Sequence, residues 1–309
     1  MAKHTFEPTR FHHTMGEHEP VLRVADCDSI ATWCVDATGR DARFEQLTQG
    51  GNPQTGPFFV EDAEPGDTLA VRFDRLWPNR TRGLTGEVVS ENVVDPWFVR
   101  DLPERSEEDA DYWELDLERG TARLESPVPG LEYLGEVPLE PMLGCFGVAP
   151  GDGQAISCAT SWRHGGNMDY RGFHEGVTVY LPVFVEGALL HVGDGHALQG
   201  EGEIVGSGIE VSFDVELTVS VVKDKLIDWP RAEDDEFLMV AGNARPLDQA
   251  VQHATTGLMR WLADDYGLDH RASSVLLGQL IRYDVGNVYD PAYTMVAKVA
   301  KRHLPERRS

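Results

Sequence analysis

Residues Gly165–Glu210 read GGNMDYRGFHEGVTVYLPVFVEGALLHVGDGHALQGEGEIVGSGIE. Two apolar runs within it, Val177–Val185 and Ala188–Val192, have the length and β-branched content of strands. Loops crowded with Gly, Asp, Asn, His and Glu separate them. Between Asp194 and Glu203 the chain places Asp194, His196, Glu201 and Glu203 among glycines. Glycine lets the backbone turn tightly, so several side chains can be aimed at one point. Carboxylates and an imidazole together suit a divalent cation, and zinc accepts both donor types. The plainer reading is a solvated hairpin loop in an acidic protein.

The same β character extends outward. Downstream, Val211, Phe213, Val215, Leu217, Val219 and Val221 alternate with polar residues, the pattern of a half-buried strand. Phe237–Ala241 reads as another. The period then changes: Leu247, Val251, Ala254, Leu258, Trp261 and Leu262 predict a helix over 246–266 that stops at Gly267. A second helix is expected over Arg271–Arg282, then a strand pair around the Asp290-Pro291 turn. Upstream, Phe58–Val60 and Thr68–Leu76 follow turn-forming strings. Val21–Ala37 reads as a hairpin bent at Asp26–Asp28. Asp101–Asp116 is expected to be a solvated excursion, with Tyr112–Leu117 and Thr121–Leu124 pairing at the periphery. The expected fold is therefore mainly β, as a sandwich or barrel-like sheets, with a smaller α/β C-terminal portion. The expected division is an N-terminal arm at 1–20, a core at 21–225 and a packed C-terminal part at 226–309. The arm carries His4, His12, His13 and His18 and reads as lightly docked.

The 309 residues include 52 acidic and 27 basic side chains, a formal net charge of −25. Only five are lysines, which is the surface of a protein adapted to concentrated salt. The same charge argues against nucleic acid and anionic membranes as partners. No apolar run reaches the roughly 20 residues of a membrane helix. The first twenty residues lack an apolar signal segment, so a cytoplasmic location is expected. The four cysteines show no C-x-x-C spacing and read as reduced thiols.

Several blocks in order resemble the acetamidase/formamidase family. They are Asn52–Val71 (NPQTGPFFVEDAEPGDTLAV), Gly144–Pro150 (GCFGVAP), Gly165–Asp169 (GGNMD), the Tyr180–Leu189 run, Gly193–Glu203 (GDGHALQGEGE) and Gly208–Glu210. The resemblance spans nearly the whole chain. It implies hydrolysis of a short aliphatic amide, formamide or acetamide, to carboxylate and ammonia, in a homodimer or larger homo-oligomer. It also implies that Asp36, in the Asp36-Ala37 pair, faces the active site. Asp26-Cys27-Asp28 departs from the family's usual P-G-D, so the turn before the second strand has its own shape.

The residues allow such chemistry. A divalent cation polarises a carbonyl and acidifies water, and a carboxylate can carry a proton from that water to the leaving nitrogen. Candidate metal ligands are His196, Asp194 and Asp169, with Asp36 reaching across from the first hairpin. Glu203 is the candidate acid/base and Glu201 its rival, since alternation would put both on one face. Asn167 and Gln199 are candidate donors to the carbonyl oxygen. His191, on an apolar strand, reads as a packed core histidine, and Cys145 as a small buried residue without a nearby charge to activate it. There is no G-x-S-x-G elbow, and no lysine lies between Lys3 and Lys223. The competing readings are a non-catalytic sandwich holding a structural calcium on oxygens, with His196 turned away, and a hydrolase of another C–N bond such as a cyclic amide.

Overall fold

In the strand Phe213–Val222, Phe213, Val215, Leu217 and Val219 are fully buried while the residues between them are half-exposed. This alternation gives a sheet with one wet face. The computed structural model describes residues 1–104 and 110–308. Among them, Phe213–Val222 lies between Ser29–Cys34 and Thr68–Pro78 in a nine-stranded sheet. That sheet continues through Thr178–Pro182, Arg231–Glu233, Phe237–Ala244 and Tyr293–Ala300 to Arg282–Val285.

A six-stranded sheet holds Ser161–Trp162, Gly165–Asn167, Met142–Gly147, Leu190–His196, Thr55–Val60 and Leu22–Val24, in that order. Its strands Thr55–Val60, Met142–Gly147 and Leu190–His196 are buried at every residue. Phe58, Phe146, Leu190 and Val192 from this sheet share one core with Leu69, Val71, Phe73 and Leu217 from the other. The Phe73 and Phe146 rings meet edge-on at 5.1 Å. Burying side chains of this size contributes roughly 1.5–3 kcal/mol each. The fold is mainly β, as expected.

Helix α1 (Leu247–Tyr266) and helix α2 (His270–Leu280) follow the expected periodicity. Gly267 caps α1 in the left-handed conformation, φ 66°. Leu258, Trp261 and Leu262 pack on Leu238, Val240 and Val299 of the nine-stranded sheet. Arg282–Val285 and Tyr293–Ala300 form the expected antiparallel pair. Asp111–Asp116 and Thr121–Leu124 pair as the peripheral hairpin. The reading of Asp101–Asp116 as an excursion falls partly on 105–109, outside the described residues. No helix among the described residues is long and apolar enough to cross a membrane.

Three local expectations differ. Val21–Ala37 is not a hairpin: Leu22–Val24 pairs in parallel with Thr55–Val60, whereas Ser29–Cys34 joins the other sheet. The chain crosses between sheets at Asp28, whose carboxylate accepts from the Ala25 amide at 3.2 Å and lies 2.8 Å from His4 Nε2. Residues 1–20 are also more than a loose arm. Lys3–Thr5 pairs in parallel with Ser29–Cys34, and Thr14–Met15 pairs with Ile156–Ser157. His12 and His18 stack at 4.1 Å beside fully buried His191. Finally, Gly193–His196 is strand rather than loop, with every residue buried. Alternation says which side chains face a core, but not which strand is the partner.

Candidate active site

The strand Leu190–His196 carries Asp194 and His196 into the interior, 2% and 1% exposed. Its antiparallel neighbour Met142–Gly147 sets Met142 opposite His196 and Cys145 opposite Gly193. On the other side of that neighbour, Gly165–Asn167 leads to Asp169. Glu203 and Glu210 come from the segment beyond the strand and are 5% and 4% exposed.

His196 Nε2 lies 2.9 Å from Glu210 Oε1 and 3.4 Å from Asp194 Oδ1. Asp194, His196 and Glu210 each offer a ligand atom within 4.8 Å of the others, and so do Asp169, His196 and Glu203. Asp169 Oδ1, Asp194 Oδ1, Glu203 Oε2 and Glu210 Oε2 are buried without a hydrogen-bond partner, as is His196 Nε2. Buried polar atoms are normally satisfied. Five unsatisfied atoms on two residue groups that share His196 therefore mark a position that a cation would fill. The donor set is mixed oxygen and nitrogen, which fits a divalent metal and suits zinc.

Gly144 belongs to the same cradle. A Cβ at this position would lie 2.3 Å from Asp169 Oδ1, 2.6 Å from Asp194 Oδ2 and 3.1 Å from His196 Cε1. Gly144→Ala is expected to spread these groups and lower both bound metal and turnover by ~10–100-fold, the scale found when the groups that orient ligands are disturbed. Metal content and kcat, measured on protein with an unchanged Tm, check this.

Three of the clustered acids also sit in the left-handed backbone region: Asp169 at φ 44°, Asp194 at φ 63° and Glu203 at φ 47°. Each such non-glycine residue costs on the order of 1–3 kcal/mol, and positions of this kind gather at functional sites.

A model of the Acetamidase/Formamidase family matches residues 152–246, which hold Asp169, Asp194, His196, Glu203 and Glu210. A formamidase of Methylophilus methylotrophus is 28% identical over 265 residues, covering 66% of this chain and 62% of that protein. An acetamidase of Mycolicibacterium smegmatis is 44% identical over 225 residues, covering 55% of this chain and 53% of that one. The crystal structure of an acetamidase from Yersinia enterocolitica superposes with a TM-score of 0.83 at 28% identity, covering 98% of this chain and 93% of the other. The chain is similar to proteins of the acetamidase/formamidase family. It spans 62% and 53% of the length of the two curated relatives.

Asp169, Asp194, His196 and Glu203 come together, while three other predicted residues have different surroundings. The carboxylate of Asp36 pairs with Arg80, with Oδ2 2.5 Å from the guanidinium, and both side chains are buried. Gln199 is not free to donate to a substrate carbonyl: its amide nitrogen donates to the Asp169 carbonyl at 2.5 Å. Its Oε1 is 2.8 Å from His196 Nδ1. A hydrogen on Nδ1 satisfies that contact and leaves the Nε2 lone pair facing the carboxylates. The Asn167 amide is likewise engaged, donating to Asp290 Oδ2 at 2.6 Å and accepting from Asn52 Nδ2 at 2.7 Å. Glu201 stands apart, its side chain half exposed and 3.9 Å from Arg171.

Four contributors escaped the sequence reading. Glu210 closed a quoted block but drew no role, because it sits at the end of a loop and before an alternating strand. Asp290 and Asn52 read as turn residues, and Asn287, whose Nδ2 is 3.3 Å from Asp169 Oδ2, carried no signal of its own. Glycine-spaced acids were legible, but the amides that orient them were not.

The site is rich in negative charge for its burial. Desolvation pushes Asp169 and Glu203 well above the ordinary carboxylate range, reinforced by neighbouring carboxylates. Burial raises Glu210 to about 7 and Asp290 to about 6. Burial opposes charging His196, but Glu210 and Asp194 outweigh it and raise its pKa well above the usual value. Each shift reflects electrostatics that a bound cation would reverse.

Proposed function

We propose that this protein hydrolyses a short aliphatic amide, formamide or acetamide, to the carboxylate and ammonia with the aid of a divalent cation. The observation that carries the reading is that Asp169, Asp194, His196, Glu203 and Glu210, each with an unpartnered buried donor atom, form two groups at ligand distance that share His196. In this proposal Asp194, His196 and Glu210 hold the cation, with Asp169 beside them. When bound, the cation would supply a Lewis acid that polarises the amide carbonyl and acidifies water. Gln199 fixes the tautomer and orientation of His196. Asn52 and Asn167 hold Asp194 and Asp290 in place through their amides.

Glu203 is the proton carrier. Its Oε2 has no partner; as a carboxylate it can take a proton from attacking water, and burial, which raises its pKa, suits it to hold that proton and return it to the departing nitrogen. The carboxylates, His196, Gln199 and Asn167 are buried, which keeps bulk water from them, while Asn52 is half-buried. Zinc is the proposed metal, supported by the imidazole nitrogen among the oxygens. The calcium alternative requires His196 turned away, whereas its Nε2 faces Asp194 and Glu210.

The same proposal includes a salt-adapted, cytoplasmic homo-oligomer. The net charge of −25 supports the salt adaptation. The exposed, edge-stacked pair Trp97–Phe98 supports a partner copy.

Ammonia release from formamide, acetamide and a cyclic amide, with metal analysis of the same preparation, tests the reading. The expected result is about one metal per chain and turnover of the linear amides that a strong chelator removes and zinc restores. Full activity after metal stripping, or turnover of the cyclic amide alone, would overturn it.

A further inference from the structure

A cavity of about 50 Å³ lies between the nine-stranded sheet, helix α1 and the C-terminal tail. Thr68, Tyr180, Lys225, Arg231, Asp265 and Arg307 line it, and none of them belongs to the carboxylate cluster. Three lining side chains are cationic and one is a carboxylate, an inverted balance in a chain with net charge −25.

That single carboxylate is already saturated. Asp265 accepts from Arg307 at 2.6 Å, from Trp261 Nε1 at 2.9 Å and from Lys225. The nearest acid on the strand Arg231–Glu233 is engaged too, since Glu233 accepts from Tyr180 at 2.6 Å and pairs with Lys301 and Arg307.

Arg231 is left over. It is 4% exposed, and its guanidinium sits 5.3 Å from the centre of the Trp261 ring. Asp264, Asp265 and Arg307 act on it only through space, and no hydrogen bond or ion pair joins its guanidinium to a described residue. Burial lowers its pKa to about 10, still far above neutrality, so it remains charged. A buried cation whose counter-charges act only through space is unfavourable, and a guanidinium presents five donors that want acceptors. One water takes up roughly 10–15 Å³ of such a cavity, so the space holds about three or four heavy atoms.

We propose that this cavity binds one small monovalent anion, a halide or a formate-sized carboxylate, on the Arg231 guanidinium. The anion completes the charge balance where the sheet, α1 and Arg307 of the tail meet, so its binding stabilises that junction.

The test titrates the intact protein with chloride, bromide or formate in gluconate, which is too large for the cavity, at constant ionic strength. A saturable rise in Tm of roughly 2–4 °C at tenfold excess over Kd is expected. A rise with chloride and bromide identifies a halide site, and a rise with formate alone identifies a carboxylate site. Arg231→Gln is expected to abolish the ion-specific rise. Because that variant may fold poorly, wild-type crystals grown in bromide give an independent reading through an anomalous peak beside Arg231. Water at that position, together with identical Tm values in all four salts, would overturn the proposal.

Discussion

Glu203→Gln is expected to lower kcat on formamide or acetamide by ~10²–10⁴-fold, the contribution of a positioned acid/base, while bound metal stays at the wild-type level. Glutamine keeps the shape of the side chain and removes its ability to carry a proton. The backbone at Glu203 is left-handed at φ 47° and the side chain is 5% exposed, so its carboxylate has little freedom to be replaced by a neighbour. Glu201 is the internal control. Its half-exposed side chain lies near Arg171, and Glu201→Gln should leave kcat unchanged. The Asp169, His196 and Glu203 grouping gives the decisive alternative: if Glu203→Gln loses metal and activity together, Glu203 is a ligand and another group moves the proton. Metal content measured beside kcat separates the two outcomes.

Arg80→Met should have the largest effect on stability, about 3–5 kcal/mol, as expected when one partner of a buried ion pair is removed. The Asp36 and Arg80 side chains are 0% and 3% exposed. Asp36 Oδ1 also accepts from the Thr38 amide and hydroxyl at 2.9 and 2.7 Å and from the Arg40 amide at 2.9 Å. Arg80 in turn donates to the carbonyls of Arg82 at 2.6 Å, Asp41 at 3.1 Å and Glu210 at 3.3 Å. Losing the guanidinium therefore strands a carboxylate and loosens the backbone that presents Glu210. Denaturant midpoints should fall for Arg80→Met and recover in the double variant Arg80→Met/Asp36→Leu, because two apolar residues leave no charge unpaired. Recovered stability with weakened metal binding would tie Arg80 to the placement of Glu210. A small loss in the single variant would show that the pair is already hydrated.

Much of the architecture was legible because its signals are local. The alternation through Phe213–Val222, the helical period of Leu247–Tyr266 and the glycine stop at 267 depend on residues a few positions apart. The acids and imidazole between Asp169 and Glu203 were legible for the same reason, since glycines around them announce tight, directed backbone. The family resemblance added an expectation for the chemistry.

Pairing and orientation were decided only in three dimensions. The sequence determined that Leu22–Val24 and Ser29–Cys34 are strands, but burial of apolar faces between two sheets assigned them to different layers. The resemblance implied that Asp36 faces the active site, yet a guanidinium 44 positions away, on Arg80, captures that carboxylate. Gln199 and Asn167 were read as donors to a substrate, and the cost of leaving buried amides and carbonyls unsatisfied commits them instead to His196, Asp169 and Asp290. The clustering of Asp169, Asp194, His196 and Glu203 was thus foreshadowed in short-range pattern, whereas Glu210, Asp290, Asn52 and Asn287 were not. What each of them does follows from long-range hydrogen bonds and charge, which no local spacing encodes.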